Sequence, residues 1–399
     1  MMKVNTGGYL APNEVVGRDD FISDIWRILD TQSIVLTSER RIGKSSVINK
    51  LQTEARKNWL VIKRDVEGIS STEEFVTRLV DDLLAHQSKL ATGMHWLGKI
   101  RKEFDDFKIL GVTISKRPQK NWVQLLESIL NKLATAQSQN NIRALLIWDE
   151  FPWMLQKIIK NEGPQAAANL LDNLRQCRQS QQCIRMILTG SIGLHHVVKA
   201  LKQEGLSNES LNDTHKLNLP SLNELDAKEL VKKLVDGEQL QWKNEATLTV
   251  LAQSVDYVPY YIHHTVNSHK QKNIIITETS IQQIIREAFT SANDPWNLVH
   301  YHSRIRDYYG ENAPLFELIL DELAYSDNGL SRQEIQNRLN SNTNLVSDPI
   351  LLKHANDPEF IRSAIQLLSA DHYLLQNSDT TLFDFNFPLI KAWWRIYRD

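Results

Sequence analysis

Along the first half of the chain, short runs of consecutive apolar residues are separated by longer stretches in which apolar positions recur at helical spacing. In FISDIWRILD, at 21–30, the positions Phe21, Ile22, Ile25, Ile28 and Leu29 follow a helical period. The run SIVLT at 33–37 reads as a short buried strand, SSVINKLQTEA from 45 as a helix, and LVIKRDV at 60–66 as a second strand. A strand, a loop, a helix and a strand in that order open a parallel α/β domain. Two long helical patterns follow, STEEFVTRLVDDLLAHQ and QLLESILNKLATA, and the mixed stretch at 96–118 between them reads as an insertion. ALLIW at 144–148 and IRMILTG at 184–190 have the length and β-branched content of buried strands, with the helical pattern PQAAANLLDNLRQCRQ between them.

After a polar stretch at 204–214, HKLNLP is expected to give a last core strand, and the helical patterns from 225 to about 289 a small lid. From 313 the order is helix, helix, helix, hairpin and terminal helix, the order of a winged-helix module. Ser331 and Glu334 have capping-box spacing, which sets the start of one of those helices. The expected organisation is therefore an α/β core with a parallel sheet over 1–220, a helical lid over 221–305 and a winged helix over 306–399.

Composition narrows the picture only a little. The chain has 399 residues, enough for two or three domains, and 42% of them are hydrophobic. With 46 basic and 48 acidic side chains there is no global field to draw the chain onto nucleic acid or an anionic membrane. Cys177 and Cys183 fit neither a CxxC redox pair nor a four-ligand metal site and read as structural thiols. The opening residues lack an apolar core of signal-peptide length and no stretch has the length of a membrane span, so the expected location is the cytoplasm, with no membrane partner.

The candidate chemistry lies in two stretches. Ser38, Glu39, Arg40, Arg41, Ile42, Gly43, Lys44 and Ser45 fit GxxxxGK[ST] with serine at the first glycine, and Ser46 continues the helix. In such a loop backbone amides cradle phosphates at the positive end of a helix, the lysine reaches the β and γ oxygens, and the hydroxyl holds Mg²⁺. If the first position requires positive φ, Ser38 costs about 1 kcal/mol there. ALLIWDE supplies the second half: Asp149 at a strand end suits Mg²⁺, and Glu150 suits the polarising of an attacking water. The expected metal ligands are thus Ser45 and Asp149, and the expected catalytic residues Lys44, Glu150 and Ser191. LTGS places Thr189 and Ser191 at the end of the next strand, where either is a candidate γ-phosphate sensor, with a plain Ser/Gly turn as the alternative. Arg175, Arg178 and Arg185 are candidate arginine fingers, against the plainer reading of surface arginines.

Taken together, VVGRDDF at 15–21, SERRIGKSSVINKL at 38–51, IWDEFPWM at 147–154 and LTGSIG at 188–193 resemble the archaeal-type P-loop ATPases of the STAND branch, related to AAA+ proteins. The resemblance spans about 12–399 and implies a helical lid, a C-terminal winged helix and ATP with Mg²⁺ as cofactors. It also implies an adenine-side role for Gly17 and Arg18. The lid motif G-x-P of related proteins lacks its glycine here, where the sequence reads Tyr257, Val258, Pro259. By analogy the function expected first is a slowly hydrolysing ATP switch that recruits a protein partner or assembles a homo-oligomer through lid and winged helix, as in bacterial or archaeal signalling or antiviral defence. The alternative is a DNA-associated ATPase, such as a loader or a transposition or transcription regulator. Residues 311–399 carry seven Lys/Arg and thirteen Asp/Glu, a balance of minus six that is expected to disfavour nucleic acid. Trp393, Trp394, Arg395 and Tyr397 are expected to pack the terminal helix on its own domain.

Overall fold

The computed structural model describes residues 1–399 except 87–121, 191–192, 207–208 and 343–347. The insertion expected at 96–118 lies outside the described residues. By contacts the chain divides into two compact units. One, the sheet unit, comprises Arg18–Ser38 and Lys44–Leu219; the other, the helical unit, comprises Met1–Gly17, Glu39–Gly43 and Pro220–Asp399.

The sheet unit is built on five strands: β1 (Ser33–Thr37), β2 (Trp59–Asp65), β3 (Arg143–Asp149), β4 (Ile184–Thr189) and β5 (Thr214–Asn218). All neighbours pair in parallel, in the order β2-β3-β4-β1-β5. The apolar runs read as strands are these strands, and their continuity has a plain cause: a parallel sheet is covered on both faces, so successive side chains are buried on either side. Every residue of β4 is buried. The helices of this unit are α1 (Asp19–Leu29), α2 (Lys44–Thr53), α3 (Thr72–Ala85), α4 (Trp122–Asn140), α5 (Phe151–Glu162), α6 (Pro164–Ser180) and α7 (Leu194–Gln203). The core joins Leu79, Leu83, Leu130, Leu133, Leu170 and Leu174 to Leu146 and Met186 of the sheet. Each fully buried aliphatic side chain of this kind contributes about 1.5–3 kcal/mol relative to exposure. At the end of β3, Trp148 meets Phe75 edge-on at 5.1 Å and stacks on Phe151 at 6.0 Å, which fixes the exit of the strand.

The helical unit contains α8 (Glu224–Glu238), α9 (Glu245–Ser254), α10 (Pro259–Lys272), α11 (Glu278–Thr290) and α12 (Val299–Tyr309). They are followed by α13 (Ala313–Ala324), α14 (Arg332–Asn340), α15 (Pro349–Asn356), α16 (Pro358–Ala370), the antiparallel hairpin β6 (Leu374–Gln376) and β7 (Phe383–Phe385), and α17 (Pro388–Arg398). The hairpin after three or more helices is the winged-helix arrangement; α15, a short helix opened by Pro349 and capped by Asp348, is additional to the sequence reading. The capping box is present: Ser331 N–H donates to Glu334 at 2.7 Å and Glu334 N–H to Ser331 at 3.3 Å. Trp393 and Trp394 are buried and Trp394 Nε1 donates to Asp321 at 2.8 Å, so the aromatic terminal helix packs on its own module. The first residues of the chain also belong here. Val4 N–H donates to Glu238 at 2.9 Å, and a Cβ on Gly237 would lie 1.7 Å from the Met2 carbonyl, so only glycine lets this segment lie on α8. Among the described residues no helix is long and apolar enough to cross a membrane.

Candidate active site

The glycine-lysine loop runs from the end of β1 to the start of α2, with Lys44 as the first helical residue. Two of its residues take positive φ, Arg41 at 70° and Gly43 at 100°. Ser38 does not, so serine at the first consensus position carries no left-handed strain; Arg41 does, at an order of 1 kcal/mol. A Cβ on Gly43 would meet nothing within 4 Å, which leaves its backbone angle as the reason for glycine.

The topology gathers the polar ends of three strands. β4 lies between β1 and β3, and Leu36 pairs with Thr189 while Trp148 pairs with Leu188, so their carboxyl ends open side by side. Crevices outside the carboxyl ends of parallel strands are where such sheets bind ligands. There the buried Lys44 donates from Nζ to the Gly190 carbonyl at 2.5 Å, and Ser45 Oγ faces Asp149 Oδ2 at 3.4 Å. Burial pushes the Asp149 carboxyl above the ordinary carboxylate range, and the Lys44 ammonium pulls it partly back. Glu150 takes the left-handed conformation, φ 57°, as the residue that caps α5, and its N–H lies 3.2 Å from Asp149 Oδ1. Gly190 completes the turn: a Cβ on it would stand 2.5 Å from Cδ of Pro152, which ties the glycine of LTGS to the proline of DEFP.

Lys44, Ser45, Asp149 and Thr189 are therefore brought together, with Ser38 beside them on the strand exit and Ser46 one residue into α2. Ser191 lies outside the described residues. Two of the three candidate finger arginines are committed internally. Arg178 binds Asp213 at 2.8 Å and the Ser210 carbonyl at 2.6 Å, and the buried Arg185 donates to the Leu29 and Ile184 carbonyls at 3.1 Å. Cys177 is buried, its thiol pushed up to about 12 mainly by that burial, as befits a structural thiol. Gly17 takes φ 67° with Asp226 so near that a Cβ would be 2.5 Å from it, and Tyr257, at the glycine position of G-x-P, keeps a left-handed φ of 58°. Pro259 opens α10.

Sequence reading assigned 39–42 to the cradle through their backbone alone. The side chains have partners of their own in the helical unit: Glu39 pairs with Arg304 at 2.5 Å, and the Arg41 guanidinium lies 3.9 Å from the Tyr260 ring centre. Their signal in the sequence was three charged residues in succession, Glu39, Arg40 and Arg41, at positions where the loop consensus asks for no particular side chain.

The donor set fits a nucleoside triphosphate with a divalent cation. An ammonium, a hydroxyl opposite a carboxylate, and the buried hydroxyls of Ser38 and Thr189, which have no hydrogen-bond partner among the described residues, supply both cationic and oxygen ligands.

No protein-family model and no curated protein matches the chain. Solved structures do. The Walker-type ATPase PABY2304 of Pyrococcus abyssi shares 15% identity with a TM-score of 0.65 over 99% of this chain and 100% of its own. The chain has the fold of an AAA+-type P-loop ATPase with a C-terminal winged helix. This P-loop ATPase fold is similar also to the Aeropyrum pernix ORC2 protein in its ADPNP-ADP complexes, at 11% identity, a TM-score of 0.52 and 98% of each chain. The A. pernix ORC1 protein in complex with DNA matches at 10% identity, a TM-score of 0.38, and 96% of this chain against 93% of its own.

One expectation is corrected by these matches. The acidic balance of 311–399 was expected to disfavour nucleic acid; the fold shared with the ORC2 protein over 98% of each chain removes that balance as a ground for setting nucleic acid aside. The physical reason lies in where the acids are. Asp348 and Asp357 cap α15 and α16, Glu317 and Asp371 are buried, and Tyr309 donates to Asp371 at 2.5 Å. Glu317 and Asp371 add little to an outward field, and a net count over a domain does not decide what any one face of it binds.

Proposed function

We propose that this chain binds ATP with Mg²⁺ at 38–46, hydrolyses it, and couples the cycle to DNA. The observation that carries the first part is the meeting of Lys44, Ser45 and Asp149 at the carboxyl ends of β1 and β3. In this reading the loop amides and Lys44 hold the phosphates, Ser45 and Asp149 hold the metal, and Glu150 orients the attacking water. Thr189 or Ser191 senses the terminal phosphate. Bound Mg²⁺ would supply charge neutralisation on the β and γ oxygens. Glu150 is held in place by its left-handed backbone at the start of α5, a strained position of a kind that clusters at working sites.

The DNA part is supported by architecture. The likeness to ORC2 runs through core, lid and winged helix alike, over 98% of each chain. It favours the DNA-associated reading over a signalling or antiviral switch. The test is a titration of labelled duplex by fluorescence anisotropy, with and without a non-hydrolysable ATP analogue, at low and at moderate salt. Expected are binding that weakens steeply with salt, as phosphate contacts demand, and an affinity that depends on nucleotide. Absence of binding at low salt in both nucleotide conditions would remove the DNA reading and leave the ATPase reading to its own titration.

A further inference from the structure

Glu39 and Arg41 sit in the phosphate loop, yet their side chains are engaged by helices of the helical unit. The Glu39 carboxylate is buried and does two things with one oxygen: Oε1 accepts from the Arg40 N–H at 2.8 Å and from Arg304 Nη1 at 2.5 Å. Arg304, in α12, is buried as well. Its Nη2 donates to the Asp371 carbonyl at 3.1 Å, and its guanidinium lies 5.1 Å from the ring centre of Tyr373. Asp371 and Tyr373 stand immediately before β6, the first strand of the winged-helix hairpin, and Tyr373 OH is anchored on the Tyr301 carbonyl at 2.6 Å. Burial opposes the Arg304 charge, but Glu39 and the surrounding tyrosines hold it well above its ordinary value, so the pair is a fixed ionic joint. One guanidinium thus joins the phosphate loop to the foot of the hairpin.

Resting on the ATP-binding reading above, we propose that Arg304 is a positioning residue that reports the state of the phosphate loop to the winged-helix hairpin. The chemistry is competitive. Phosphates recruit loop amides, and the Arg40 amide is one that Glu39 holds. Its transfer to phosphate leaves Glu39 to Arg304 alone and shifts the guanidinium that also holds Asp371. Without Arg304, Glu39 is a buried, uncompensated anion in a loop that must take a triphosphate.

The experiment is hydrogen exchange over 371–385, with and without ADP at saturation, on the parent, R304M, E39Q and the E39Q/R304M double variant, each with its nucleotide affinity measured by titration. In the parent, ADP is expected to change exchange in the hairpin. R304M is expected to bind about tenfold more weakly, roughly 1.4 kcal/mol, and to lose the hairpin response. The double variant should recover most of the affinity, because the anion has gone, but not the response. Should R304M fail to fold, R304K keeps the charge while losing the second arm to Asp371, and near-parent affinity without a hairpin response is expected. A hairpin response of parental size in R304M or R304K overturns the inference, and so does a parent hairpin indifferent to ADP that the titration shows to be bound. A parent that binds no nucleotide in that titration refutes the ATP reading itself, and this inference with it.

Discussion

In the reading proposed above, Lys44 serves binding and Glu150 serves turnover, and two substitutions test that division. Replacing Lys44 by alanine removes the ammonium that bonds the Gly190 carbonyl, and nucleotide affinity is expected to fall roughly a hundredfold, the scale of one or two charge-assisted hydrogen bonds. Glu150→Gln should leave that affinity near its parental value and slow hydrolysis by about 10²-fold. Parental turnover in the Gln variant, measured as phosphate release, would assign the water to another residue. Asp149 adds a pH dependence. Its carboxyl titrates above the ordinary range because it is buried, so the ionised form that a metal needs is lost on acidification earlier than for an exposed aspartate. Magnesium-dependent nucleotide affinity should therefore decline with falling pH sooner in the parent than affinity measured without magnesium; parallel curves would count against Asp149 as a ligand. At this scale the glycine-lysine loop and the acidic pair were legible because local chemistry dictates both, backbone amides in one and a strand exit in the other. Glu39 and Arg304 were not, since 265 positions separate them and charge pairing over that span leaves no periodic trace.

Elements carry a different kind of information. Strands β1, β3 and β4 stood out in the sequence as apolar runs because burial on both faces leaves no room for alternation, whereas the edge strand β5, THKLN, is largely polar and exposed. Their order in space did not. That β4 separates β1 from β3 follows from how the crossovers wind, and nothing in the length or content of IRMILTG distinguishes a central strand from a neighbour of β3 alone. The turn between α9 and α10 shows what an unusual backbone conformation can serve. Asp256 and Tyr257 are left-handed in succession, at 53° and 58°, and the Asp256 carboxylate accepts the Leu389 N–H at 2.8 Å in the first turn of α17. Burial pushes the Asp256 carboxyl up to about 7, against the pull of that N–H. A raised carboxyl binds its proton more tightly folded than unfolded, so its contribution to stability is full below about pH 4 and is lost as pH rises through 7. Asparagine tolerates the left-handed backbone and keeps an acceptor for Leu389. Asp256→Asn should therefore flatten the fall in melting temperature of the parent between pH 5 and 8, and the variant should be the more stable at pH 8. Identical pH profiles for parent and variant would mean that Asp256 does not titrate in that window.

At the scale of the molecule, the chain does not assemble in the order in which it is read. Residues 1–17 precede the sheet in sequence but pack with 220–399, and the ties are specific. Asn5 N–H donates to His263 Nδ1 at 3.0 Å, and His264 Nε2, opposite the Thr6 carbonyl at 3.2 Å, must carry a proton to bond it. A nitrogen that accepts a hydrogen bond cannot itself be protonated, so the Asn5 tie requires neutral His263. Burial, helped by the neighbouring His264, pushes His263 down to about 4 from an ordinary value of 6.5. Because the folded value is the depressed one, this contribution is whole above pH 6.5 and disappears as pH falls through 4. Protonation then breaks the acceptor and places a charge on a buried ring. The leader should detach before the rest of the unit unfolds, since it holds on through a few polar ties while α8 to α12 share an apolar core. Amide exchange at Asn5, corrected for its intrinsic pH dependence, should be protected and flat above pH 6.5 and should rise toward pH 4, while amides in the middle of α10 stay protected. Equal loss of protection at both places would mean that the leader and α10 open as one body.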